Sequence, residues 1–162
     1  MKEAINNEIK KKYIKAVEGY ENEIGNQTSD IAPDSFINLA FLYWCFAFEL
    51  FEFDIPNNIS KYWSNIGGYR FSIILKLGLT KYPHNVELHF WEKYFSHISL
   101  GKEFTERDCL ELIKNYEGKS LTPYFFLYQF DKEKYKKERN KLLREAEKMP
   151  TAKYIYIKSL IV

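Results

Sequence analysis

Residues 34 to 53 read Asp34-Ser35-Phe36-Ile37-Asn38-Leu39-Ala40-Phe41-Leu42-Tyr43-Trp44-Cys45-Phe46-Ala47-Phe48-Glu49-Leu50-Phe51-Glu52-Phe53, and this stretch decides the fold. Between Phe36 and Phe48 the one polar residue is Asn38. No alternation of period two runs through it, and Asp34, with Pro33 just before, is a helix cap. The spacing therefore predicts a helix, apolar almost all round, from Phe36 to about Phe53. Such a helix is buried on most sides. A bilayer would also bury it, but Glu49 and Glu52 interrupt it short of the roughly 18 to 20 apolar residues that a span needs. No basic flank marks a cytoplasmic side. Neighbouring helices of the same chain are the expected cover.

The flanking sequence supplies them. Upstream, Ile5, Ile9, Tyr13, Val17, Tyr20 and Ile24 recur at steps of four and three, one stripe of an amphipathic helix that Gly25 and the polar run to Asp30 stop. Downstream, Asp54-Ile55-Pro56-Asn57-Asn58 makes a turn, and Ser60 caps a third helix through Leu77. Gly67-Gly68 inside it predicts the close approach of a neighbour or a kink. After the turn around Pro83, helices are expected over 86–100, from Thr105 or Glu103 to Asn115, over 124–130 after Thr122-Pro123, through Tyr135, Leu142, Ala146 and Met149, and over 152–160. Tyr154-Ile155-Tyr156-Ile157 mimics a strand, yet no convincing alternation surrounds it. The expectation is an all-α fold of 7–8 helices, paired as antiparallel hairpins by short connections, in a single domain over 1–162.

Phe36, Leu39, Ala40 and Tyr43 have the aromatic, leucine, small and tyrosine spacing of a tetratricopeptide repeat's first helix. Ala16 and Tyr20 look like the small and aromatic positions of a second helix. Leu75, Gly78 and Pro83 resemble its closing positions, and Trp91 and Tyr94 follow on the next helix. Roughly the first 95 residues resemble that family. The expected arrangement is a right-handed stack of hairpins of that kind or else an irregular helical bundle, and the resemblance implies a curved surface that holds another protein.

The chain has 162 residues, of which 46% are hydrophobic and 18% aromatic, enough buryable surface to exclude disorder for most of its length. Lysine far outnumbers arginine, and Ile, Asn, Tyr and Phe are plentiful, which resembles proteins of AT-rich bacterial genomes. Cys45 and Cys109 have no partner at redox or metal spacing, and the N-terminus shows no apolar leader, so a reducing cytoplasm is the expected compartment. The glycosylation-like triplets Asn26-Gln27-Thr28 and Asn58-Ile59-Ser60 are then chance matches. Net charge is +2, but residues 16–60 hold eight acids and no Lys or Arg, whereas the flanks are basic.

Motifs for chemistry are weak. Gly118-Lys119-Ser120 lacks the earlier glycine of a phosphate loop, since Ile113 stands there. Gly67-Gly68 lacks the rest of a dinucleotide fingerprint. His84, His89 and His97 contain no pair at i and i+4, so no metal site is expected. Cys45 lies among apolar residues and Cys109 follows Asp108, both of which oppose a thiolate nucleophile. No catalytic residue and no cofactor are assigned.

One feature points to a partner. Glu49, Glu52 and Asp54 crowd the carboxyl end of a helix, where the macrodipole is already negative. Either bases such as Lys61 or Arg70 neutralise them, or this end, with Asp30 and Asp34, faces a basic partner. The function expected is a non-catalytic protein-binding module, in its most specific form a bacterial immunity protein that neutralises a cognate toxin, a nuclease for example. A second expectation is a nucleic-acid accessory protein, using the basic stretch 132–148 with Phe125, Phe126 and Tyr128 before it. Alternating charges there favour a salt-bridged face instead, and arginine is scarce. An enzyme without a recognisable motif is the third.

Overall fold

The computed structural model describes residues 1–26 and 30–162, so Gln27 and Thr28 of the first glycosylation-like triplet lie outside the described residues. The described residues are all-helical and contain no strand, only an isolated bridge between Asn85 and Glu117. The chain forms two compact units, Met1–Lys81 and Tyr82–Val162.

The first unit contains α1 (Lys2–Ile9), α2 (Tyr13–Gly25), α3 (Pro33–Phe48), a π-helical turn over Leu50–Asp54, and α4 (Lys61–Lys81). Every residue of α3 from Ser35 to Phe46 is buried. α2 and α4 cover α3, and α1 packs on α2. The apolar helix is thus wrapped by its own chain, and each buried ring or aliphatic side chain contributes about 1.5–3 kcal/mol. Gly67 sets the α3–α4 distance, since a Cβ there would lie 2.3 Å from the carbonyl oxygen of Tyr43. Gly68 has open space around it.

Two breaks depart from the sequence reading. The first amphipathic stripe is not one helix: Lys11 takes φ 56° between α1 and α2. The break turns Glu8 inward, where Tyr20 Oη donates to its Oε2 at 2.7 Å and Asn38 Nδ2 donates to Tyr20 Oη at 3.1 Å. The second is at Glu49, whose ψ of 57° ends α3 before the π turn. Ala32, not Asp34, is the cap residue of α3, with Pro33 in its first turn.

The second unit contains α5 (Val86–Leu100), α6 (Glu106–Asn115), α7 (Pro123–Phe130), α8 (Lys136–Lys148) and α9 (Ala152–Ile161). Thr105 caps α6 with a capping box to Asp108, and Asn85 Oδ1 caps α5 by accepting from Leu88 N at 3.0 Å. Its core is aromatic: Phe104 stacks on Phe126 at 4.6 Å, and Tyr94 meets Phe125 edge-on at 5.0 Å. Within it, the Glu87 carboxylate accepts from Lys153 Nζ at 2.8 Å, Ser120 Oγ at 2.9 Å, Thr122 Oγ1 at 3.0 Å and Trp91 Nε1 at 3.2 Å.

Candidate functional site

The π turn carries the candidate site. Glu49 O accepts from both Phe53 N (2.9 Å) and Asp54 N (3.0 Å), and Leu50 O accepts from Ile55 N at 2.9 Å. This wider winding inserts an extra residue per turn and changes which side chains face inward. Phe53 turns in, its ring 4.6 Å from Tyr13 and 5.9 Å from Phe46. Asp54 is buried as well, only 2% exposed. Phe48, Leu50, Phe51 and Ile55 are left exposed, Phe51 by 77%.

Among the described residues no ion pair engages Glu49, Glu52 or Asp54. The Arg70 guanidinium instead holds Glu21, with Nη2 at 2.7 and 2.8 Å from its two oxygens and Nε at 3.2 Å from Oε1. Glu21 Oε1 also accepts from Tyr43 Oη at 2.7 Å. Lys61 makes no ion pair among the described residues. Burial, then the neighbouring Glu49 charge, pushes the Asp54 carboxyl up to about 6. Burial, then Glu52, raises Glu49. Among the described residues the Oδ1 of Asp54 has no hydrogen-bond partner.

Asp30 and Asp34 are exposed at the opposite end of α3. The fifteen-residue step from Asp34 to Glu49 amounts to about 22 Å of helix. The structure therefore brings Glu49, Glu52 and Asp54 together and leaves Asp30 and Asp34 apart from them. Asp34 instead sits in the first turn of α3, where a negative charge suits the dipole.

The other chemical candidates are occupied. His89 Nε2 lies 2.7 Å from Pro83 O with its ring stacked on Tyr116, and His97 Nδ1 lies 2.7 Å from Lys102 O. Among the described residues no group of three or more His, Cys, Asp or Glu is placed to hold a metal ion. Cys45 and Cys109 are free and buried, and burial raises both thiols, Cys109 to about 12. Ser120 of the Gly118-Lys119-Ser120 segment donates to Glu87 rather than standing in a phosphate cradle. Phe125 and Phe126 are core residues, and Arg139 lies over the Tyr128 ring at 5.4 Å, so the rings before the basic helix are engaged within the unit.

No helix among the described residues is long and apolar enough to cross a membrane. The sequence signals for the acids were their number and their place at a helix end. Nothing in the sequence signalled the exposed Leu50 and Phe51, because apolar residues in an apolar helix read as core. No protein family, curated protein or solved structure matches this chain.

Proposed function

We propose that this chain is a non-catalytic protein-binding module whose π turn docks a basic partner. One juxtaposition supports the reading: Glu49 and Glu52, without counter-ions among the described residues, stand beside the exposed Phe51 and Leu50. Exposed rings and aliphatic chains supply area to bury, while unpaired carboxylates steer a cation-bearing surface and fix its register. In its most specific form the module is a bacterial immunity protein. Its partner is then a toxin, such as a nuclease, whose active surface is basic because its substrate is a polyanion.

The test titrates the purified chain with the product of the adjacent gene by calorimetry, at about 50 and about 300 mM salt. The expected result is binding that weakens with salt. Glu49→Lys combined with Glu52→Lys should cost about 100-fold in affinity, and Phe51→Ala about tenfold. Absence of binding, or binding that neither variant alters, overturns the proposal.

A further inference from the structure

The outward face of α4 has a second organised surface, separate from the π turn. At helical spacing, Tyr62, Ile66, Tyr69, Ile73 and Leu77 form one stripe. Tyr62 is 66% and Tyr69 78% exposed, with Ile73 and Leu77 exposed as well. Alongside runs a parallel stripe, Lys61, Asn65, Gly68, Ser72 and Lys76. It is a trough of short, uncharged residues with a lysine at each end, about 22 Å apart. Gly68 in its middle has nothing within 4 Å of where a Cβ would be. Gly67, one residue earlier, faces α3 and supplies the internal contact, so the open glycine is not needed for packing inside the unit.

We propose that this face docks an acidic amphipathic helix of a partner protein. A ridge of rings and aliphatic chains beside a trough of short residues fits a helix, whose own ridge enters the groove. The sign of the partner follows from charge. α4 contains no carboxylate over its 21 residues, and Lys61 and Lys76 have no ion pair among the described residues. Its remaining interior base, Arg70, is held by Glu21. An acidic helix with carboxylates about four turns apart meets both lysines. A lipid surface is flat and leaves the trough empty. A second copy docking through the same face brings lysine against lysine.

The probes are a capped sixteen-residue helical peptide with leucines along one face and glutamates flanking it, and the same peptide with lysine for glutamate. Each is titrated against the full chain by fluorescence anisotropy. The glutamate peptide should bind, and the lysine peptide should bind at least tenfold more weakly. Lys61→Glu with Lys76→Glu should invert that preference. Tyr69→Ala and Gly68→Gln, one removing the ridge and one filling the trough, should each lose about tenfold, with a cooperative circular-dichroism melt in each, no lower than wild type for Gly68→Gln, showing that the fold is retained. Glu49→Lys with Glu52→Lys should leave peptide binding intact, which separates this face from the π turn. The proposal is overturned if the glutamate peptide does not bind or if both peptides bind alike. It is equally overturned if the chain sediments with phosphatidylglycerol vesicles but ignores the peptide, or if it self-associates in a manner that Tyr69→Ala abolishes.

Discussion

Asp54 has a buried carboxyl with an unpartnered oxygen, so ionising it places charge where water reaches it poorly. Its folded-state pKa, near 6, lies above the ordinary 3.8. The folded form therefore binds its proton more tightly than the unfolded chain does. The stability this contributes is fully present below the ordinary value and is lost as pH rises through about 6. Raised Glu49 acts in the same direction. Asp54→Asn should remove most of this dependence, gaining about 1–3 kcal/mol relative to wild type between about pH 4 and pH 7.5 in urea unfolding. Equal pH slopes for the two proteins would show that Asp54 is not the titrating group. The same residue explains part of what the sequence concealed. Glu49, Glu52 and Asp54 read alike as acids at a helix end, yet only the π turn separates the buried carboxylate from those beside the exposed rings. Glu8 was concealed as well, since an acid beside an amphipathic stripe reads as surface until Tyr20 and Asn38 close over it.

Adjacent glycines in α4 give a comparison within one helix. At Gly67 an added methyl meets the Tyr43 carbonyl oxygen, so Gly67→Ala has to push α3 and α4 apart and should cost about 1–3 kcal/mol. At Gly68 the methyl meets nothing, and the helix gains the propensity of alanine, so Gly68→Ala should stabilise by about 0.8–1 kcal/mol. Thermal melts of the two variants moving in opposite directions check the packing of α4 on α3, and movement in the same direction contradicts it. The sequence offers close approach or a kink at Gly67-Gly68, and the structure shows the close approach at Gly67 alone. The helix ends were less so. Gly101, with φ 65°, follows α5 as the usual left-handed cap, whereas Lys11 adopts that conformation with no glycine or asparagine to announce it. The long apolar run over 36–53 reads as one helix because hydrophobicity does not register a change from four- to five-residue hydrogen bonding at Glu49. That change is what exposes Leu50 and Phe51, so the acidic half of the candidate site was readable and the apolar half was not.

Each unit contains one buried free cysteine, Cys45 in the first and Cys109 in the second. Burial holds both thiols protonated, so each reacts when its own unit opens. The units also carry carboxylates displaced in opposite directions. In the first, burial raises Glu49 and Asp54. In the second, burial alone would raise Glu87, but the Lys153 charge and the hydrogen bonds from Lys153, Ser120 and Trp91 outweigh it and hold the group low. Glu106 and Asp108 are lowered too, by hydrogen bonds from Tyr135 and Thr105 respectively. A lowered carboxyl contributes stability that is present above its unfolded value and is lost as pH falls through its folded value, the reverse of Asp54. Acidification from about pH 7 to about pH 3.5 should therefore weaken the second unit relative to the first. The measurement is labelling by a disulfide reagent that reacts in acid, across a urea series, with each cysteine quantified by mass spectrometry. The urea midpoint for Cys109 should fall relative to that for Cys45 on acidification. Coincident midpoints that move together at both pH values would instead make residues 1–162 one cooperative unit, because a shared transition allows neither half to respond to its own carboxylates.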